Sequence, residues 1–149
     1  MNLKKVLSPA VMFAELAGDD KESVIRDMVT RLARARGVES QLPEMIRVVL
    51  EREEKDSTGL EHGIAVPHGK TDAVASLVAG IGRVSEGVDF ASRDGKPTRI
   101  LVMTVSPAAT SGPHLQFLSE VVRLLKDEAQ RQALLDAPTA EAMYNAMVR

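Results

Sequence analysis

Histidines are the side chains of this sequence best suited to chemistry at neutral pH, and His68 has the most informative neighbours. It follows the apolar run 64–66 and Pro67, and Gly69 comes directly after it. Because proline cannot extend a central strand and glycine allows a close turn, the pattern predicts a strand that stops at Pro67 and presents His68 at its end. A neutral imidazole in that position can act as a nucleophile, a general base or a metal ligand.

The other candidate side chains lie near predicted helix ends. His114 follows Pro113, so we expect it in the first turn of a helix, where free N–H groups and the helix dipole attract anions. Arg52 lies near the end of an earlier helix, and a guanidinium can hold a phosphoryl group through two hydrogen bonds. The hydroxyls of Ser57 and Thr58 can bond phosphate oxygens or turn the backbone. A surface turn or a solvated helix end remains an open explanation for each.

Taken together, the histidines, the arginine, the hydroxyls and a glycine-bordered loop indicate phosphoryl transfer through a histidine. The loop glycines do not form a P-loop, because no Gly-Lys-Ser/Thr follows at the right spacing, and no Gly-x-Ser-x-Gly elbow is present. Glu61 and the three histidines, at 62, 68 and 114, could in principle bind zinc or nickel. Their spacing is not a recognised metal pattern. We therefore expect no metal and no cofactor, and a metalloprotein is the weaker alternative.

The composition excludes several classes of protein. The chain has 149 residues, a hydrophobic fraction of 44% and a net charge of -2, which fits one domain over residues 1–149 and argues against a nucleic-acid partner. The absence of cysteine excludes disulfides and a thiol nucleophile. We see neither a signal peptide nor an apolar run long enough to span a membrane, so a cytoplasmic location is expected.

The hydrophobic periodicity predicts an α/β fold, with a mixed β-sheet flanked by helices in a single layered domain. Near-continuous apolar runs at 77–84 and 99–105 are typical of central strands, and shorter strands are expected at 11–16 and 88–90. Helices are predicted over 21–36 with Asp20 as the cap, and from about 43, 113, 127 and 139. The helix that begins at Pro113 is expected to bury one stripe, formed by Leu115, Leu118, Val121, Val122 and Leu125.

A resemblance joins these observations. The stretch from Ser57-Thr58-Gly59 through Gly63-Ile64-Ala65-Val66-Pro67-His68-Gly69 resembles the signature of the fructose/mannitol-type enzyme IIA domains of the bacterial phosphoenolpyruvate-dependent phosphotransferase system, which include the nitrogen-regulatory IIA proteins. The resemblance covers nearly the whole chain and includes Arg52-Glu53, Val88-Asp89-Phe90 with Asp94-Gly95, and His114-Leu115-x-x-Leu118. It implies a mixed sheet flanked by helices, with His68 phosphorylated, His114 as the second active-site histidine and Arg52 as a phosphate-site arginine. Ser57, Thr58 and Gly69 would support the phosphate site.

The resemblance also implies a function and partners. The protein would be a phosphotransferase that accepts a phosphoryl group from a histidine-phosphorylated carrier protein and passes it to a IIB protein for sugar uptake. A IIB domain normally accepts phosphate on a cysteine; because this chain has none and ends after its last helix, we expect a IIB protein acting in trans. The alternative is a nitrogen-type regulator whose phosphorylation state controls binding to other proteins.

One local departure from the family pattern concerns Glu61 and His62. The family usually has a small residue, most often glycine, where this chain has Glu61, and a smaller polar residue is common at position 62. A carboxylate beside a phosphorylated site would repel it. We therefore expect the Glu61 side chain to point outward or to pair with Lys70 or His62.

Overall fold

A computed structural model describes residues 2–109 and 111–148 and shows an α/β architecture, as predicted. The helices are α1 (Lys21–Ala35), α2 (Leu42–Lys55), α3 (Gly112–Lys126), α4 (Glu128–Asp136) and α5 (Ala140–Val148). The strands are β1 (Met12–Phe13), β2 (Ile64–Ala65), β3 (His68–Lys70), β4 (Val78–Val88) and β5 (Thr98–Ser106). Within the described residues, no helix is long and apolar enough to cross a membrane.

The sheet is mixed, which confirms the predicted fold class. Its order is β1-β4-β5-β2, and β3 also pairs with β5, so β2 and β3 form one interrupted edge. The long strands β4 and β5 are antiparallel, whereas β1, β2 and β3 run parallel to their neighbours. Both long strands are largely buried, as expected for apolar runs that are covered on both faces.

Helices cover both faces of the sheet. A side chain at Gly80 would meet Leu32 of α1, and one at Gly69 would meet Val48 of α2. On the opposite face, Thr104 of β5 contacts α3. Because successive side chains of a strand alternate between faces, His68 and Gly69 point to different layers.

Three strand predictions were wrong in their bounds. Residues 9–11 form a 3₁₀ turn, so the strand predicted over 11–16 shrinks to β1. Val88 ends β4, and the backbone then turns as Asp89 accepts a hydrogen bond from the Ala91 N–H, so 88–90 is no separate strand. The strand before His68 does not end at Pro67, because the Pro67 carbonyl still accepts from the Thr104 N–H at 3.3 Å and pairing resumes at β3. His68 therefore begins a strand.

The helix starts were predicted to within one residue, and those of α1 and α4 are fixed by local side-chain caps. Asp20 accepts a hydrogen bond from the Ser23 N–H at 2.8 Å, and Asp127 accepts one from the Gln130 N–H at 2.9 Å. The buried stripe of α3 was predicted partly wrongly, because Leu115 is 61% exposed. The residues of α3 that are buried are His114, Phe117, Val121 and Leu125. The helix is turned so that its first buried side chain is a histidine.

Candidate active site

His68 lies at the first position of β3, on the interrupted edge of the sheet, and its side chain is partly exposed. Its Nδ1 is 2.9 Å from the carbonyl oxygen of Val66. A carbonyl oxygen can only accept, so Nδ1 carries the hydrogen in this contact and the neutral ring has its lone pair on Nε2. The backbone thus selects the tautomer in which Nε2 is the nucleophilic nitrogen.

His114 faces His68 from the first turn of α3. The two ring centroids are 5.3 Å apart and the ring planes are tilted by 46°. His114 Nδ1 lies 2.7 Å from Oγ1 of Thr104, a fully buried residue of β5. Because Thr104 is also the register partner of His68, the sheet and α3 together bring the two imidazoles into contact.

His114 is a histidine that stays neutral. Burial, followed by electrostatic repulsion from His68 and Lys70, lowers the pKa of His114 from 6.5 to about 4. Its residue surface is only 5% exposed. At neutral pH the ring can therefore donate one hydrogen bond without placing a charge beside His68.

A groove between α2 and β3 carries most of the positive charge of the site. It is lined by Arg47, Val48, Glu51, Arg52, Lys55, His68, Gly69 and Lys70. Arg52 donates from Nη1 to the Asp56 carbonyl at 2.7 Å, which holds the guanidinium at the end of its own helix. The structure thus brings His68, Arg52 and Gly69 together in one groove, with His114 in contact with His68.

The hydroxyls of Ser57 and Thr58 bind protein groups. Ser57 donates to the carbonyl of Phe90 and accepts from the Gly59 N–H at 3.0 Å. Thr58 donates from its hydroxyl and from its N–H to the two oxygens of Glu53, at 2.5 and 2.8 Å. Neither residue is among those that line the His68 groove in the described part of the chain. Their support of a phosphate site stays a prediction, and the geometry makes it indirect, through the loop before β2.

Gly69 is required by the close approach of β3 to α2. A Cβ atom there would lie 2.6 Å from Cγ2 of Val48 and 3.0 Å from its carbonyl carbon. Such distances are shorter than real Cβ contacts, so a larger residue would push the strand and the helix apart. Glycine therefore sets the width of the groove in which His68 lies.

Glu61 and His62 lie outside this groove. Both are exposed, and Glu61 Oε2 lies 4.0 Å from His62 Nε2, so the Glu61 side chain points outward, one of the expected arrangements. They line a different groove, with Arg93 and Lys126. Over the described residues, no group of three or more His, Cys, Asp or Glu side chains is placed to hold a metal ion.

Two residues of the site were missed from the sequence. Thr104 is the one polar residue in the apolar run 100–105, and that isolated hydroxyl was the available signal. Lys70 follows His68 by two positions in β3 and therefore lies on the same face, lining the same groove. The alternation of side chains along a strand would have placed Lys70 beside His68, but we expected the strand to stop at Pro67.

Comparison with known proteins identifies the family. Residues 5–149 match the family described as the phosphoenolpyruvate-dependent sugar phosphotransferase system, EIIA 2. The chain therefore belongs to this family, and the resemblance drawn from the His68 signature is confirmed.

Relatives within the family have different names. The chain is 34% identical to a fructose-specific EIIABC component of Bacillus subtilis, covering 97% of this chain and 23% of that protein. It is 40% identical to a fructose-specific EIIA component of Haloferax volcanii, covering 66% of this chain and 64% of that protein. It is 29% identical to a nitrogen regulatory protein of Pseudomonas aeruginosa, covering 99% of this chain and 96% of that protein. The chain thus spans less than two thirds of both fructose-specific relatives.

Solved structures share the fold. The nitrogen regulatory protein IIA-Ntr of Neisseria meningitidis superposes with a TM-score of 0.88 at 23% identity, over 97% of this chain and 98% of that one. The Escherichia coli complex of enzyme IIA and phosphorylated enzyme IIB for mannitol contains a chain that superposes at 0.80 and 24% identity, over 95% and 96% of the two chains. At these identities the likeness supports the fold.

Proposed function

We propose that this protein is a phosphocarrier that accepts a phosphoryl group on Nε2 of His68 and passes it on for sugar uptake. The donor is a histidine-phosphorylated carrier protein and the acceptor is a IIB protein. The observation that carries the proposal is the hydrogen bond between His68 Nδ1 and the Val66 carbonyl, which leaves Nε2 as the free nucleophile of a partly exposed ring. Membership of the EIIA 2 family supports the same chemistry.

The transfer needs no proton relay at His68. The lone pair of Nε2 attacks phosphorus, the donor's N–P bond breaks, and its electron pair returns to the donor imidazole. Nδ1 keeps its hydrogen, so the phosphorylated ring is cationic and the Val66 carbonyl stabilises that charge. When the N–P bond of this cationic ring breaks, the ring is released as a neutral imidazole. Because neutral imidazole is a good leaving group, the phosphoryl group can be transferred to the next acceptor. In the onward step, the His68 N–P bond breaks and a bond forms between phosphorus and the acceptor's nucleophile.

The rest of the site stabilises the charge on the phosphoryl oxygens. Such transfer is catalysed mainly by alignment and by donors aimed at the three equatorial oxygens. We assign this role to the neutral His114 ring, which faces His68, and to the guanidinium of Arg52 and the ammonium of Lys70, which line the His68 groove. This arrangement requires neither a metal nor a small cofactor.

The partners follow from the chemistry of the chain. A IIB protein of this system normally accepts phosphate on cysteine, and these 149 residues contain none, so the acceptor lies outside them. We place the protein in the cytoplasm, because the phosphoenolpyruvate that supplies this relay is a cytoplasmic metabolite.

The test is phosphorylation in a purified relay. The protein is incubated with labelled phosphoenolpyruvate, enzyme I and the carrier protein, and the acid-labile label is mapped. His68→Ala should take no label, whereas His62→Ala, a change at an exposed histidine elsewhere, should take it at the wild-type rate. Arg52→Gln and His114→Gln should still be labelled but on the order of a hundredfold more slowly. Stable labelling of His68→Ala would refute the assignment.

A second function is favoured by one observation, the match to a nitrogen regulatory protein over nearly the full length of both chains. In that case phosphorylation of His68 would switch the binding of another protein. The phosphorylated protein is mixed with the IIB proteins of its organism and loss of label from His68 is followed. Transfer to a IIB protein supports transport; no transfer, together with a partner that binds only one phosphorylation state, supports the switch.

A further inference from the structure

Thr104 makes two hydrogen bonds that connect the two histidines. Its backbone N–H donates to the carbonyl of Pro67, the residue before His68, at 3.3 Å. Its hydroxyl lies 2.7 Å from Nδ1 of His114. The side chain is fully buried, so water does not compete for either contact. One residue of β5 therefore fixes the backbone that leads into His68 and the ring that faces it.

The hydroxyl suits both protonation states of His114. When the ring is neutral, we expect the buried hydroxyl to donate to Nδ1, because its hydrogen has no other acceptor among the described residues, and the ring hydrogen is then on Nε2. When a phosphoryl group on His68 draws a proton onto His114, the same hydroxyl can rotate and accept from Nδ1–H. In both states Nε2 carries a hydrogen, which is what a donor to a phosphoryl oxygen requires.

No other partner competes for that nitrogen. Among the described residues, Nε2 of His114 has no hydrogen-bond partner, and it is not among the buried side-chain atoms that lack one. The nitrogen is therefore not fully buried, and the centroid of its ring is 5.3 Å from that of the His68 ring.

We propose that Thr104 is a positioning residue for phosphoryl transfer, and that its hydroxyl sets the Nε2–H tautomer of His114 so that this N–H is held for the phosphoryl group on His68. The proposal rests on the proposed function for its kinetic consequence. The part of the proposal that concerns the tautomer and the position of the His114 ring can be tested in the unphosphorylated protein alone.

The first experiment measures the tautomer of His114 in the wild-type protein by ¹⁵N NMR of the ring nitrogens at neutral pH. We expect hydrogen on Nε2 and a lone pair on Nδ1. Thr104→Ser keeps the hydroxyl and should keep this tautomer, whereas Thr104→Val removes it and should give a mixture of the two. Hydrogen on Nδ1 in the wild-type protein, or a spectrum of Thr104→Val identical to wild type, would overturn the proposal.

The second experiment compares transfer kinetics from the phosphorylated carrier protein. The matched control is Thr98→Val, because Thr98 is fully buried in the same strand and its hydroxyl contacts Ser92 instead. We expect Thr104→Val to lower kcat by about tenfold to a hundredfold, the range seen at metal sites when a partner that orients a ligating histidine is lost. Its KM for the carrier should stay within about twofold, and Thr104→Ser and Thr98→Val should be close to wild type.

The outcomes separate this proposal from the proposed function. If wild-type protein takes no label on His68, the proposed function fails, and the tautomer measurement still decides what Thr104 does. If His68 is labelled and Thr104→Val transfers at the wild-type rate, the positioning role fails while the function stands. If Thr98→Val lowers the transfer rate as much as Thr104→Val does, any buried threonine of β5 matters for folding. That result would also overturn the positioning role of Thr104. Should Thr104→Val not fold, the wild-type tautomer and the Thr104→Ser rate give the decision.

Discussion

Acid should destabilise this protein in part through His114. The pKa of His114 lies at about 4 in the folded chain, against 6.5 without the fold, chiefly because the ring is buried. The unfolded chain therefore binds the proton first as the pH falls. Stability from this residue is complete above about pH 6.5 and is lost progressively towards pH 4. Each pKa unit corresponds to about 1.4 kcal/mol, so the loss reaches at most about 3 kcal/mol.

Urea unfolding at several pH values between about 7.5 and 4.5 measures this loss. Wild-type protein is compared with His114→Gln, whose amide does not titrate and can still meet the Thr104 hydroxyl. Carboxylates titrate in the same range, but they do so in both proteins and cancel in the difference. His62→Gln serves as the control for removing an exposed histidine.

We expect the wild-type protein to lose about 1–3 kcal/mol more than His114→Gln between neutral pH and pH 4.5. His62→Gln should follow the wild-type curve. Parallel curves for wild type and His114→Gln would show that the ring is protonated as easily in the folded as in the unfolded chain. That result would refute the neutral, buried state on which the chemistry of His114 depends.

Two further substitutions test the scaffold around the site, each by urea unfolding at neutral pH. Gly69→Ala should lower the free energy of unfolding by about 1–3 kcal/mol, because its Cβ would overpack β3 against α2. Gly112→Ala should lower it far less, because a Cβ there meets nothing within 4 Å. Equal losses would contradict the close approach of β3 to α2. Glu53→Gln should cost about 1–3 kcal/mol, because it removes the negative charge that strengthens the hydrogen bonds from Thr58 and pairs with Lys21, and the exposed Glu22→Gln should change little; a silent Glu53→Gln would mean that this charge does not hold the loop.

The parts of the fold that could be predicted from the sequence are those encoded locally. The cap at Asp20 and the long apolar runs of β4 and β5 each depend on a few neighbouring residues, and the structure places them as expected. The break around Pro67 was harder, because the pairing that resumes at His68 depends on β5, more than thirty residues further along the chain. Strand bounds set by a distant partner are not visible in a local pattern.

The same distinction between local and distant signals separates the predicted histidines from Thr104, one of the two residues that were missed. His68 and His114 stand out through their neighbours, since each follows a proline, His68 as the first residue of β3 and His114 in the first turn of α3. Thr104 has no such local mark beyond its polarity. Its role arises from the register that sets it beside His68 and from the rotation of α3, which buries His114 and exposes Leu115. Hydrophobic periodicity favoured Leu115 for the core, because it cannot anticipate a histidine that finds a buried hydroxyl.

The low pKa of His114 keeps this ring from adding a further positive charge to a groove that is already cationic. Before transfer, Arg52 and Lys70 already place positive charge near His68, and a charged His114 among them would be costly to bury. A phosphoryl group brings about two negative charges, which offset the groove and favour a proton on His114. Under the proposed function, the positive charge of the site would therefore increase when the phosphoryl group arrives and decrease when it leaves. A partner that contacts this edge meets a different electrostatic surface in each state, even if the backbone does not move.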